Sequence, residues 1–234
     1  MAVSEPRTIA TWQAPLVGDK TSDELLISFD RGRKHRLLIL PALFDEANKL
    51  RRFTMQTIRA LDASGVECFL PDLPGCNDSL QPLEQQTLEG WRSVVIAAAE
   101  VFQITHVLGI RGGALLSPKD LPAWYYAPQS GAKLLRGMLR ARMIASRELG
   151  LEETSEQLLK VGREAGLMLA GWPIGATMLR ELEHAKPFKI DQQKTISQKD
   201  IGGAGLWLRA EPGEDDAGSE SLATIISGGI GDAA

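Results

Sequence analysis

One stretch near the middle of the chain, residues 105–116, constrains the fold more than any other. An apolar run at 105–110 leads into a glycine-rich turn, and a second apolar run follows directly after it. Gly109 and Gly113 lie two positions before and after Arg111. A side chain at either glycine would clash where a strand turns sharply into a helix. The pattern therefore predicts a strand, an abrupt turn with Arg111 at its apex, and a helix.

Before this turn, apolar runs typical of strands alternate with apolar residues at helical spacing. Short apolar runs of the kind found in buried strands occur at 24–29, 36–40, 66–70 and 105–110. A loop at 41–49 precedes a helix that ends at Gly65, and Thr87 is the predicted N-cap of a helix that extends to about Gln103. Residues 1–22 are predicted to be irregular. The alternation predicts right-handed βαβ crossovers and a doubly wound, mostly parallel sheet.

After the turn the alternation is interrupted. A strand is predicted at 123–127, and apolar residues at helical spacing predict helices at 131–147, 153–165 and 177–185. Because no strand separates these helices, we expect residues 129–185 to form a small helical cap over the carboxyl edge of the sheet. A last buried strand is predicted at 205–210. The tail that follows, 212–234, is predicted to contain a short helix at 219–227 and to fray at its end. The whole chain, 1–234, is predicted to be one domain with this insertion.

Composition excludes several classes of protein. The net charge of −4 gives no reason to expect nucleic-acid binding. The two cysteines, Cys68 and Cys76, are too few for a disulfide framework and are typical of free thiols in a reducing cytoplasm. No apolar stretch is long enough to span a membrane, and the N-terminus has no hydrophobic signal core. We expect a cytoplasmic protein and assign no cofactor and no metal site.

Several motifs together resemble the first half of an α/β-hydrolase, and in detail the second exosortase A-associated hydrolase family. The stretches that carry this resemblance are P-A-L-F-D-E-A-N-K-L-R-R at 41–52, D-L-P-G-C-N-D-S at 72–79, L-G-I-R-G-G-A-L-L at 108–116, the W-Y-Y-A-P-Q-S-G segment that continues to 142, and L-M-L-A-G-W-P-I at 167–174. The resemblance implies the α/β-hydrolase fold and a bacterial role linked to exosortase and exopolysaccharide systems. Asn77 replaces a glycine of the family pattern, the segment after the turn is short, and no motif matches beyond about Ala210, which implies a shortened C-terminus.

In α/β-hydrolases the sharp turn is the nucleophile elbow G-x-S-x-G, and Arg111 stands where the serine belongs. The resemblance implies that arginine is usual at this position in the exosortase-associated branch. A serine hydrolase also needs a histidine after the last strand. None of the three histidines, His35, His106 and His184, lies there. We therefore do not expect a conventional triad, because arginine stays protonated and is no nucleophile.

Two other residues keep open the alternative that the chain is an enzyme with an atypical active site. Cys76 is a candidate nucleophile for an active esterase or thioesterase, although a small buried thiol explains it as well. Glu211 lies just past the predicted last strand, near the place of a catalytic acid. A non-catalytic interaction partner is the third reading. The cations of the 131–147 helix are then either an ordinary exposed face or a docking surface for a protein.

Arg111 itself has two interpretations. At a helix N-terminus, a guanidinium beside the backbone N–H groups of Leu43 and Gly112 would bind a small anionic ligand. Phe44 and Asn48 would belong to the same ligand site. Asn48, Lys49, Arg51 and Arg52 would line the mouth of the cleft, although a solvated first helical turn explains their charges equally well. Alternatively, Arg111 is paired with a nearby acid, and the candidates are Asp45, Glu46 and Glu211.

Overall fold

The computed structural model describes residues 7–189 and 191–231, and a seven-stranded sheet lies at its centre. The strands are β1 (Arg7–Leu16), β2 (Lys20–Phe29), β3 (Arg36–Leu40), β4 (Glu67–Pro71), β5 (His106–Ile110), β6 (Ala123–Tyr126), β7 (Leu167–Leu169), β8 (Trp172–Ile174) and β9 (Gln193–Ile196). The sheet order is β1-β2-β4-β3-β5-β6-β9, and β7 and β8 form a separate hairpin. Strands β4, β3, β5, β6 and β9 are parallel, whereas β1 and β2 are antiparallel additions at one edge.

Helices cover both faces of this sheet. They are α1 (Asp45–Ala63), α2 (Leu88–Val101), α3 (Gly131–Glu148), α4 (Ser155–Ala165), α5 (Ala176–His184), α6 (Gln198–Ile201) and α7 (Asp216–Gly231). Along β3, Leu37 and Ile39 point into the core shared with α1 and α7, and Leu38 and Leu40 point into the core on the α2 side. Burial on both faces explains the unbroken apolar run of this strand. The predicted α/β fold with a mostly parallel sheet is confirmed.

Helix α2 forms as its sequence predicts. The Thr87 side chain accepts a hydrogen bond from the Gly90 N–H at 2.9 Å and caps the first turn. Trp91, Val94 and Ala98 are buried along one face of the helix. This face packs into the core against the sheet, which is the arrangement that an amphipathic helix requires.

The start of the chain differs from the prediction. Residues 7–16 form β1 rather than an irregular segment, and they pair with β2 in an antiparallel hairpin. Gly18 and Asp19 make its turn, with φ of 76° and 57°. The inward side chains Trp12 and Ala14 alternate with exposed ones, which is the period of a half-buried strand. Residues 1–6 lie outside the described part of the chain.

Two helix boundaries near the elbow also differ. Helix α1 begins at Asp45, inside the segment 41–49 that was predicted as a loop. The elbow is followed by a buried 3₁₀ turn, Arg111–Leu116, and not by an α-helix. The tighter turn fits a segment that is enclosed on all sides, since 3₁₀ geometry serves short connections.

The C-terminal part holds the largest corrections. The predicted strand at 205–210 is wrong: residues Leu206–Leu208 form a 3₁₀ turn, and Leu208 is 77% exposed. The last strand is β9, a polar edge strand with no apolar run to reveal it. The short helix expected at 219–227 is present and is longer than predicted, because α7 extends over Asp216–Gly231 and packs on α1. Residues 232–234 lie outside the described part.

The segment expected to form a cap, 129–185, folds between β6 and β9. It contains the predicted helices α3, α4 and α5, together with the β7–β8 hairpin that the pattern did not reveal. The Gly131 N–H donates to the Ala185 carbonyl at 3.0 Å, so the two ends of the segment meet. Trp172 of the hairpin lies edge-on to Phe44, with ring centroids 5.9 Å apart, which brings the segment to the carboxyl end of β3.

Candidate functional site

The carboxyl ends of β3, β5 and β6 meet at one edge of the sheet, and the backbone is strained there. Phe44, Arg111 and Ala127 follow these three strands and have φ of 55°, 53° and 45°. Left-handed backbone is costly for residues other than glycine and concentrates at functional sites of proteins. This edge is therefore the candidate site.

The elbow glycines are required by close contacts. A Cβ at Gly109 would lie 2.8 Å from the Ala114 Cα across the turn. A Cβ at Gly113 would lie 2.1 Å from the carbonyl oxygen of Leu40 on the neighbouring strand β3. The turn itself explains Gly109, whereas the close approach of a second strand explains Gly113.

The Arg111 guanidinium is bound on several sides. Its Nε and Nη2 donate to the two carboxylate oxygens of Glu46, each at 2.9 Å. Its Nη1 donates to the Ala127 carbonyl at 2.9 Å, and Nη2 also contacts the Gln129 side-chain oxygen. A bidentate pair with a carboxylate is the strongest geometry available to an arginine. Of the three acids that the sequence offered, Glu46 is the partner.

The side chains of the Arg111–Glu46 pair are largely shielded from solvent. The side chains are 11% and 13% exposed. Burial raises the pKa of Glu46 above its ordinary value, because it disfavours the charged carboxylate more than Arg111 favours it. The pair is therefore a buried ion pair, whose loss on one side would leave an uncompensated charge.

The Trp207 ring lies over the Arg111 guanidinium. The Arg111 guanidinium carbon lies 4.0 Å from the centroid of the Trp207 ring, which is a cation–π contact. Trp207 also lies edge-on to Tyr126, whose ring stacks on Phe53. Sequence reasoning missed Trp207, since it belonged to a predicted strand, and it missed Gln129 as well. No local signal marks either residue as a neighbour of Arg111.

The other residues predicted for the site are dispersed around it. Leu43 is buried and its side chain lies against the backbone of Gly112, where a Cβ would be 3.2 Å from the Leu43 Cγ. Phe44 is buried at the start of α1. Asn48 and Glu211 are exposed, and within the described residues neither forms a hydrogen bond or an ion pair with Arg111. Asp45 is bound instead to Lys49, at 2.8 Å.

Two of the three histidines lie away from this edge. His35 precedes β3 and His106 begins β5, so both are at the amino end of the sheet, with ring centroids 5.9 Å apart. A strand of five residues spans roughly 16 Å, which separates His106 from Arg111. His184 ends helix α5.

The loop after β4, residues 72–79, is tied together internally. Asp72 accepts from the Asn77 amide at 2.6 Å, and the Ser79 hydroxyl accepts from the Gly75 N–H at 2.8 Å. Burial raises the pKa of the Cys76 thiol to about 12, and the carboxylates of Asp72 and Glu24 add to this. A thiol with such a pKa is protonated at neutral pH, which is the opposite of an activated nucleophile.

A cleft lies beside the Arg111–Glu46 pair. It has a volume of about 280 Å³ and separates the start of α1 from helix α3. Glu46, Gln129 and Trp207 line one side, and Met138 and Ile144 of α3 line the other. Across residues 7–189 and 191–231, no cluster of three or more His, Cys, Asp or Glu residues has an arrangement that could hold a metal ion.

Comparison with solved structures identifies the architecture. Mouse alpha/beta hydrolase domain-containing protein 10 matches with a TM-score of 0.55 at 12% identity, over 97% of this chain and 100% of that one. Bromoperoxidase from Bacillus anthracis matches with a TM-score of 0.55 at 11% identity, over 96% and 100%. The chain has the α/β-hydrolase fold.

Epoxide hydrolase VrEH1 from Vigna radiata shares this α/β-hydrolase fold, with a TM-score of 0.54, 12% identity and coverage of 99% and 98%. At such low identities the likeness shows the fold alone. No protein-family model and no curated protein sequence matches the chain.

Proposed function

We propose that this chain is a non-catalytic α/β-hydrolase-fold protein that serves an exosortase-linked exopolysaccharide system in the bacterial cytoplasm. The single observation behind the proposal is the state of Arg111. The guanidinium stands at the elbow apex, where hydrolases of this fold carry their nucleophile, and it is held by Glu46, the Ala127 carbonyl and Gln129 under the Trp207 ring. The position of the nucleophile is thus occupied by a structural ion pair.

The sequence resemblance supports the exopolysaccharide assignment. We propose that residues 129–185 act as a cap on a single domain, since their ends meet through the Gly131–Ala185 hydrogen bond. The two free cysteines suit a reducing compartment. The hydrolase fold is intact, but a stabilising ion pair occupies the position of the nucleophile. This combination fits a protein that contributes contacts to a larger assembly and does not catalyse a reaction.

Activity measurements test the non-catalytic proposal. We expect no turnover of short p-nitrophenyl esters above background and no labelling by a fluorophosphonate. Arg111→Ser restores the elbow serine and should remain unlabelled, because His106 lies roughly 16 Å away. Stoichiometric labelling of the wild type would support an esterase or thioesterase with an atypical nucleophile. Labelling of Arg111→Ser alone would show that the rest of the machinery is intact, and would also contradict the proposal.

A cellular experiment tests the exopolysaccharide role separately. Deletion of the gene should reduce secreted exopolysaccharide, and the wild-type chain should restore it. The paired variant Arg111→Met/Glu46→Leu keeps the buried volume without the charges and should restore secretion as well. Unchanged secretion after deletion would refute the exopolysaccharide role while leaving the activity result untouched.

The alternative to a structural ion pair is a site for a small anion at Arg111. Such a ligand would have to displace the Glu46 carboxylate, which already occupies two guanidinium N–H groups. The adjacent cleft of about 280 Å³ supplies the space. If an anion binds there, phosphate should raise the Tm of the wild type more than that of Arg111→Met, since a ligand of the folded state stabilises it by mass action.

A further inference from the structure

A basic stripe runs along the outer side of helix α3. Its four cations, Lys133, Arg136, Arg140 and Arg147, are exposed and follow helical spacing. On a helix, residues three, four or seven positions apart share a face, so the stripe is continuous over roughly 21 Å. The helix has five cations and one acid in a chain whose net charge is −4.

The cations of this stripe have no acidic partner at pairing distance along their own helix. None of the residues three or four positions from its members is acidic. In the described part of the chain, none of the four cations forms an ion pair, whereas Arg142 on the inner flank binds Glu153 at 2.8 Å. Like charges at this spacing destabilise a helix. The concentration of unpaired charge is therefore better explained by an anionic partner than by stability.

Exposed apolar side chains lie on and beyond the same stripe. Ile144 lies between Arg140 and Arg147 on the helix and is 52% exposed, and it lines the rim of the cleft described above together with Arg140. Leu149 and Leu151, in the turn that follows α3, are 79% and 54% exposed. We name the turn 149–151 the leucine tip.

The leucine tip is held in a fixed conformation. Gly150 has a φ of 76°, and the Leu151 N–H donates to the Ser146 carbonyl at 2.9 Å, which is the pattern of a Schellman C-cap. Glu153 accepts hydrogen bonds from both Arg142 and the Ser146 hydroxyl and ties the following segment to the helix. These contacts hold the pKa of Glu153 at about 2, so they persist at neutral pH. The leucines are presented to solvent by a rigid cap.

We propose that the basic stripe and the leucine tip dock this protein on the surface of an anionic phospholipid bilayer. Phosphate groups of the lipid would meet the four cations, and the leucines would enter the interface at the end of the stripe. Binding to a membrane surface grows with both buried apolar area and attraction between cations and anionic lipids. A soluble polyanion matches the charge but offers nothing to cover the leucines. Within the described ranges no helix is long and apolar enough to cross a membrane, so this is attachment to a surface.

Vesicle sedimentation tests the proposal on the full chain. Vesicles of phosphatidylcholine with 30% phosphatidylglycerol should bind the protein, and pure phosphatidylcholine vesicles should not. Raising the salt concentration should weaken binding, since it screens exposed charges. Arg136→Gln/Arg147→Gln should bind about 30-fold more weakly, because each cation near an anionic leaflet contributes about fivefold in affinity. Arg59→Gln/Lys199→Gln, with the same change in net charge on other exposed positions, is the control and should bind like the wild type.

A second pair of variants separates a membrane from a soluble acidic partner. Leu149→Gln/Leu151→Gln should weaken vesicle binding about tenfold and leave the salt dependence in place. All these positions are exposed, so circular dichroism and Tm should be unchanged. No binding to the anionic vesicles, or equal loss in the Arg59/Lys199 control, would overturn the proposal. Unchanged binding of the leucine variant, with binding of soluble polyglutamate that needs Arg136 and Arg147, would replace the bilayer by an acidic protein partner.

Discussion

The Arg111–Glu46 pair allows a quantitative prediction. Arg111→Met removes the charge and keeps an apolar side chain under the Trp207 ring. Glu46 then stays in a position where only 13% of its side chain is exposed, without its cation. Surface ion pairs contribute about 0.2–1 kcal/mol, but breaking a buried pair on one side costs about 3–5 kcal/mol. Because both partners are buried, we expect the larger figure.

The assay is chemical or thermal unfolding. For a chain of this length, each kcal/mol corresponds to about 2–4 °C in Tm, so Arg111→Met should lower Tm by roughly 6–20 °C. Arg59→Met is the control, because Arg59 is exposed on α1, and it should change stability by less than about 0.5 kcal/mol. The double variant Arg111→Met/Glu46→Leu should recover most of the loss, since replacing both charges by apolar groups is often neutral.

The pH dependence of the loss gives a further check with a definite sign. Burial already raises the pKa of Glu46, and removing Arg111 takes away the main opposing influence. A carboxyl whose pKa is raised by folding favours the folded state while protonated and loses this contribution as pH rises through its folded pKa. Arg111→Met should therefore be less destabilised at pH 5 than at pH 8.

Two results would refute the reasoning. A variant with the Tm of the wild type at pH 8 would mean that Glu46 does not need Arg111. A Tm of the wild type that rises with phosphate, while that of Arg111→Met does not, would mean that Arg111 faces an open anion site. Glu46→Gln separates these cases further, because freeing Arg111 should create phosphate-dependent stabilisation that the wild type lacks.

Three other predictions follow from burial and close contacts. Gly113→Ala should destabilise the protein by at least about 2 kcal/mol in unfolding experiments, because the added Cβ would lie 2.1 Å from the Leu40 carbonyl oxygen. The control Gly137→Ala adds a Cβ in free space on α3 and should be neutral or stabilising by up to about 1 kcal/mol. Leu139→Asp should lower stability by about 3–5 kcal/mol, since it buries an unpaired charge, and an unchanged Tm would contradict the packing of α3. Glu24 is fully buried, and its Oε2 has no hydrogen-bond partner in the described part of the chain. Burial raises the pKa of Glu24, so the unfolding free energy of the wild type should increase as pH falls from neutral through that pKa. Glu24→Gln should lack this increase when the unfolding free energy is measured as a function of pH.

Much of the fold could be predicted from local patterns. Local apolar patterns identify strands β3, β4 and β5 and helix α2. A residue that is buried in a parallel sheet, or packed against one, must be apolar. Strand β9 could not be found in this way. It lies at the edge of the sheet, and its residues Q-K-T-I are mostly exposed. The run at 205–210 has an apolar pattern like that of the runs of β3, β4 and β5. The tertiary structure nevertheless buries Leu206 in the core and leaves Leu208 exposed to solvent.

The elbow shows most clearly what the sequence alone determined. Gly109 and Gly113 are obligatory where a strand turns back beside its neighbour, so their spacing around Arg111 specified the turn and its apex before any contact was known. The partner of Arg111 was decided only by the tertiary structure. Glu46 is 65 positions away, and three acids were equally plausible along the chain. Side-chain pairing between distant segments depends on which strands are neighbours in the sheet and on which side chains are shielded from water. For this reason the Glu46 carboxylate and the Trp207 ring came together only when the β3, β5 and β6 ends met at one edge of the sheet.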